Sequence, residues 1–304
     1  VVRTWKDLSF SSELGSKVKA YYPVEVSGDQ FLRPGNKFKL EGTPIERLDF
    51  LSLMLALFLG TAALPHILIR YYTVPNPAAA RKSTIVAIAA IGFFYILTLF
   101  MGLGAEVGGV VNPADSNMAA PLLARSFSEV LFAIISAIAF ATVLGTVSGL
   151  IVAASGAVAH DILDRFLGLK MSDKEKVRWG KISAFAIGAI AIVLGIIFKG
   201  VNVTFLVGLA FAVAASANLP SILLLLFWKK TTAQGIAASV TTGIAASMGL
   251  ILLSPELFKL YGLDPASTPV PFSNPGIFSI PLSFIVLIVV SLMTQPKLKP
   301  IEAK

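Results

Sequence analysis

The sequence predicts an all-α polytopic membrane protein with about seven spans. Three observations predict it. Mean hydropathy is +0.81 and only 14% of the 304 residues are charged, where soluble domains run to about a quarter. Seven apolar runs approach or exceed the ~20 helical residues that a hydrocarbon core requires. Basic residues gather in alternate connections, as they do in loops that face the cytoplasm. The net charge of +8 then calls for no nucleic acid as a partner. There are no cysteines, and the two histidines stand far apart. A disulfide frame, a thiolate metal site and a histidine metal cluster are therefore not expected.

Residues 1–47 differ in kind from the rest. They hold eight Lys/Arg and six Asp/Glu, with turn signals at Pro23, Gly28, Pro34-Gly35-Asn36 and Pro44. They read as an extramembrane loop, or as a basic segment lying on a membrane surface. The chain opens at Val1 without a charged-then-apolar leader. The expectation is no signal peptide, and a chain that is the later part of a longer protein.

The first span, Leu48 to Tyr72, carries Gly60-Thr61 followed by Pro65-His66. A proline has no N–H for the carbonyl four residues back, here that of Thr61. The run reads either as two half-helices meeting near Gly60 and Thr61, close to the midplane, or as an ordinary span with a proline kink. Broken helices at such depth persist only against protein or a watered cavity, and transporters bind solutes there. His66 lies four residues from Arg70. It is a hydrogen-bonded interfacial histidine or a proton relay.

A short basic turn (Arg70, Arg81, Lys82) leads to a second span, about Ser83 to Ala105, and residues 106–125 read as a polar loop. The third span, about Ser126 to His160, has a face of small and polar residues: Thr142, Gly145, Thr146, Gly149, Ala153, Gly156, Ala157 and His160. A helix-packing seam is one reading. The other adds the hydroxyls of Thr142 and Thr146, since a hard cation such as Na⁺ takes oxygen ligands. A basic loop follows over 161–181. The fourth span is about Ile182 to Phe198 and the fifth about Thr204 to Trp228, with Asn218 and Pro220 inside it. Asn218 reads as stitching helices or lining a path. The sixth span is about Ala233 to Leu253. A Pro-rich loop precedes the seventh, about Ile277 to Met293, and a short basic tail.

With the N-terminal loop outside, the inner connections and tail carry 14 Lys/Arg and the outer connections after residue 47 carry three. Seven spans then place the C-terminus in the cytoplasm of a cell (inner) membrane protein. No HExxH, G-x-S-x-G, phosphate-binding glycine loop or paired intramembrane carboxylates occur, so the expectation is not an enzyme.

Three blocks carry a resemblance. Leu59 to Val74 reads LGTAALPHILIRYYTV, Phe140 to Leu163 reads FATVLGTVSGLIVAASGAVAHDIL, and Phe205 to Gly235 reads FLVGLAFAVAASANLPSILLLLFWKKTTAQG. Over about residues 45–295 the chain resembles the sodium/solute symporter family, and within it the cation/acetate symporters. The resemblance implies a LeuT-type transporter whose second inverted five-helix repeat is residues 48–228. It implies two additional spans in 229–304 and a variable outer loop in 1–47. The first repeat is missing from this chain, and would be its partner. The family's cation ligands match Thr142 (through its carbonyl), Gly145 and Thr146. Relatives often carry serine at the second position, where glycine offers no hydroxyl, and with the first repeat missing this chain supplies only half of the site. Substrate-facing positions correspond to Gly60, Thr61, Leu64, Pro65 and His66.

Physical reasoning agrees with a small carboxylate as solute. No Lys or Arg stands at the middle of a span. A half-helix N-terminus near Thr61 and a co-bound Na⁺ would balance the anion. The expected activity is cation (Na⁺)-coupled symport of acetate or another short monocarboxylate by alternating access, with no cofactor beyond the coupling ion. Proline or pantothenate as solute, or a symporter-like sensor module, are the alternatives.

Overall fold

The computed structural model describes residues 42–295, apart from 69, 70, 72, 113, 114 and 200. The expected outer loop up to residue 41, Arg70 and the basic tail lie outside the described residues. Among those described, seven helices are long and apolar enough to cross a membrane. The protein is an all-α, multi-pass membrane protein.

The first span is α1 (Pro44–Ala63) and a single further turn, α2 (Pro65–Leu68). Thr43 and Glu46 form a capping box at its start, with Pro44 in the first turn. The second span, α3 (Pro77–Val107), begins earlier than hydropathy suggests, because Asn76 caps it ahead of the basic pair Arg81-Lys82. At 31 residues it is ~46 Å long and outruns the hydrocarbon core. Residues 119–125, read from sequence as loop, and 126–127, read as the start of the third span, form the amphipathic helix α4 (Ala119–Phe127). Ser128 then turns fully extended and caps α5 (Glu129–Gly156), which separates the two helices.

Two corrections concern the basic loop expected over 161–181. The third span does not end at His160 but widens into a π-helix, Ala157–Phe166, closed by Leu167 N–H donating to the Ile162 carbonyl. On the other side, α6 (Asp173–Ile197) starts nine residues early, because Ser172 and Glu175 form a second capping box. The irregular connector shrinks to residues 167–172, where Gly168 and Lys170 take positive φ. Asp164 holds it by accepting from Met171 N–H at 2.8 Å and pairing with Lys176 at 2.8 Å. The remaining helices are α7 (Val203–Phe227), α8 (Ala233–Leu252), the short α9 (Pro255–Leu260) and α10 (Gly276–Met293).

The helices group into two packed units. In one, α4 packs on α3 and α5, and α5 packs on α6. Its spans bury little of their surface against each other, and Phe93, Phe94, Ile192 and Ile196 point outward, as apolar residues do in lipid.

The other unit holds α1, α2 and α7 to α10. Here α7 lies against α1, α8 and α10, and α8 lies along α10. Its seams run along every fourth position: Gly235, Ser239, Gly243 and Ser247 on α8, and Ser279, Ser283, Leu287 and Ser291 on α10, small except for Leu287. Lipid supplies no hydrophobic force between helices, so close backbone approach and hydroxyl bonds hold them instead. Ser239 donates to the Ser283 carbonyl at 2.9 Å, and Ser216 of α7 donates to Ser279 Oγ at 2.7 Å. The two spans expected as additions therefore pack directly on the fifth.

Candidate functional site

The break in the first span falls at Leu64, not at Gly60-Thr61. Helix α1 is regular through residues 60 and 61, and Leu64 alone is extended, at φ −75°, ψ 118°. The reason is local. The proline ring disfavours the helical region for the residue before it, so Leu64 leaves the helix and Pro65 restarts it. The missing N–H of Pro65 takes a partner from the Thr61 carbonyl without unwinding residue 61. The break therefore lies about two-thirds of the way along the run 48–72. No half-helix begins near Thr61. The turn that follows the break spans four described residues, too short for a helix dipole of consequence.

The carbonyl of Ala63 also leaves the helical pattern, since Ile67 N–H donates to Leu64 O at 3.1 Å instead. Asn218 of α7 supplies a replacement: its Nδ2 donates to Ala63 O at 3.0 Å. Of the two readings of Asn218, the structure shows the stitch.

The five expected solute-facing residues differ in their surroundings. Gly60 is buried on α7. A Cβ there would stand 2.6 Å from the Phe211 carbonyl oxygen and 2.8 Å from Phe211 Cα, so this glycine serves close helix approach. Thr61 is exposed and its hydroxyl donates back to Leu57 O at 2.7 Å. Leu64 and His66 are half-buried and Pro65 is exposed. Leu64, Pro65 and His66 are the residues at the break itself.

Thr142, Gly145 and Thr146 lie together on one exposed face of α5. Thr142 Oγ1 donates to Ile138 O at 2.8 Å, and Thr146 Oγ1 donates to Thr142 O at 3.1 Å. These back-bonds spend the hydroxyl protons on the helix and leave oxygen lone pairs facing outward. Space beside Gly145 is open, with nothing within 4 Å of a notional Cβ. Such a face can offer a cation two hydroxyl oxygens and a shared carbonyl. The face expected to continue to His160 holds only as far as Gly156, because the π-helix beyond changes the register. His160 instead meets Asp161, with Nδ1 2.9 Å from Oδ1.

A polar clamp escaped the sequence reading. Asp49 Oδ1 accepts from the backbone N–H of Asn274 at 2.7 Å. Ser52 Oγ donates to the Asn274 carbonyl and accepts from Ile277 N–H at 2.9 Å. Side chains of α1 thus take the place of a cap for α10. The available signal was a carboxylate at the start of an apolar run, which is costly at the membrane unless partnered.

The family model described as "Sodium:solute symporter family" matches residues 9–243. The chain is 46% identical over 291 residues to the "Monocarboxylic acid transporter" of Corynebacterium glutamicum, covering 91% of this chain and 51% of that protein. It is 45% identical over 267 residues to the "Uncharacterized symporter YwcA" of Bacillus subtilis, covering 85% of this chain and 51% of that protein. The chain spans about half the length of these curated relatives. No solved structure matches.

Proposed function

Because this chain belongs to the sodium:solute symporter family, we propose that it works as the second half of a secondary transporter that couples Na⁺ entry to uptake of acetate or another short monocarboxylate. The observation that carries the solute class is the 46% identity, over 91% of the chain, to a protein named for monocarboxylic acids. The chain takes the place of the second inverted repeat, residues 48–228, followed by two additional spans in 229–304. The family match ends at residue 243, inside α8, which supports treating α10 as an addition. The first repeat is its partner in the complete protein. The protein sits in the cell (inner) membrane with the loop before α1 outside and the C-terminus in the cytoplasm.

Leu64, Pro65 and His66 at the break face the solute path, with Gly60 and Thr61 in the preceding turns. Thr142, Gly145 and Thr146 form this half's share of a Na⁺ site. The solute carboxylate is balanced chiefly by the bound Na⁺, since the dipole of the four-residue turn contributes little. Each site then binds more tightly when the other is filled, and the coupling is reciprocal. A tenfold Na⁺ gradient supplies ~1.4 kcal/mol per ion. One Na⁺ with one monocarboxylate is electroneutral, and a second cation would add ~2.3 kcal/mol per 100 mV.

The test is labelled acetate uptake into proteoliposomes that hold the complete transporter under an inward Na⁺ gradient. The expected result is Na⁺-dependent accumulation, with Na⁺ half-saturation raised several-fold in Thr146→Ala. Uptake driven by a proton gradient alone would remove the sodium assignment. No acetate uptake under either gradient would move the reading to proline, pantothenate or a sensing role.

A further inference from the structure

We propose that Asn218 is a positioning residue for transport: its side-chain amide holds the break of the first span and so sets where Leu64, Pro65 and His66 stand. The inference rests on the transporter reading above and adds a residue that lies on a different helix from the break.

Pro65 explains why Leu64 leaves the helical region. It does not explain what keeps the break from shifting. Leaving the helix frees the carbonyl of Thr61, which Pro65 cannot serve, and that of Ala63, which Ile67 abandons for Leu64. Ala63 is fully buried, so its carbonyl needs a donor from within the protein. Asn218 provides one at 3.0 Å, across 155 residues of chain. Its neighbours Ala217 and Leu219 have no side-chain donor.

The donor also stands on a firm base. Gly60 brings α1 against the backbone of α7 at Phe211. Ser216, two residues before Asn218, is tied to Ser279 of α10. Pro220, two residues after it, removes an N–H from the Ser216 carbonyl, which Gly243 of α8 approaches closely. The stretch 216–220 is thus fixed from two sides, and the break borrows that rigidity through one hydrogen bond. A motion that separates α1 from α7 must release this bond, so Asn218 also biases the position of the break during the transport cycle.

Ser221 supplies a control. Its hydroxyl, one turn beyond Asn218 on α7, is buried without a hydrogen-bond partner among the described residues. Its removal should leave the break alone.

The experiment uses the complete transporter. Asn218→Asp keeps the size of the side chain and deletes the N–H donor, whereas Asn218→Gln retains a donor. In a cysteine-free background, Leu64→Cys is labelled with a membrane-impermeant maleimide in Na⁺, alone and combined with each variant. Solute KM and Vmax are measured for the same variants with Leu64 intact. The expected result for Asn218→Asp is a several-fold change in labelling rate and a several-fold higher KM at nearly unchanged Vmax. Asn218→Gln should recover part of both, and Ser221→Ala should match the parent. Equal labelling and KM in Asn218→Asp and the parent would overturn the proposal. So would equal losses in Asp, Gln and Ser221→Ala variants, which would indicate general packing damage. Should Asn218→Asp fail to reach the membrane, Asn218→Ala against Asn218→Gln makes the same comparison. The labelling arm needs no solute, so it decides the role of Asn218 even where acetate uptake proves absent.

Discussion

Gly60 and Thr146 are both small-side positions on apolar helices, yet they answer to different forces. Gly60 lies where α1 meets the Phe211 backbone, and a methyl group cannot be absorbed by a rotamer change there. Gly60→Ala should lower the thermal stability of the purified transporter, at a cost of roughly 1–3 kcal/mol as for other overpacked contacts. Unfolding in detergent, followed by tryptophan fluorescence, checks it. Thr146 has free space around it and bonds only to its own helix. Thr146→Ala should leave that melting temperature nearly unchanged while weakening Na⁺ dependence. A drop in stability as large as that of Gly60→Ala would argue for a packing role instead.

At the scale of elements, the first span is a helix with a fault whose place is set by one rule and held by another helix. Pro65→Ala should let the helix run on through Leu64, because the ring that excludes the helical region is gone. The expected outcome is a stably inserted protein with strongly reduced uptake, and reduced maleimide labelling at Leu64→Cys. The α7–α8–α10 cluster is governed by small residues. In Gly243→Leu the side chain would run into the Ser216 carbonyl and force α7 and α8 apart. Loss of folded protein on fluorescence-detected size exclusion is the expected readout. Ser239→Ala, which removes one interhelical hydroxyl bond, should cost only ~0.6 kcal/mol, the average for such bonds in membranes.

For the whole molecule, the charge count and the match to half of each relative bear on topology and completeness. The connector at 167–172 should be reachable from the cytoplasm and the 261–273 loop from outside. Cysteines introduced at Gly168 and Ser267, labelled in intact cells and in permeabilised cells, check this. Labelling of both from the same side would contradict seven spans with the C-terminus inside. The face of α5 proposed to bind the cation is exposed and offers only hydroxyls and a carbonyl. Reconstituted by itself, this chain is expected to show no gradient-driven uptake.

Composition and hydropathy alone determined the membrane class and the seven spans, and Pro65 marked the first span as either broken near Gly60-Thr61 or kinked. Each depends on local chemistry: apolar length against a bilayer, and a ring that removes an N–H. The motif blocks around Pro65, Thr142 and Asn218 likewise pointed to the family that the comparison confirmed. What the local pattern could not decide was where hydrogen bonds go once helices meet. The fault stands at Leu64 rather than Gly60-Thr61 by the local rule for the residue before a proline, and what packing added is the Asn218 bond to the Ala63 carbonyl. Gly60 became a contact glycine because Phe211, 151 residues away, lies over it. The 161–181 loop shrank to residues 167–172, with helix running on through Phe166 and Ser172 and Glu175 capping α6 from Asp173. Asn218, Asp49 and the α8–α10 serines acquired partners only in three dimensions, since in a hydrocarbon core each polar group must find its bond on whichever helix packs beside it.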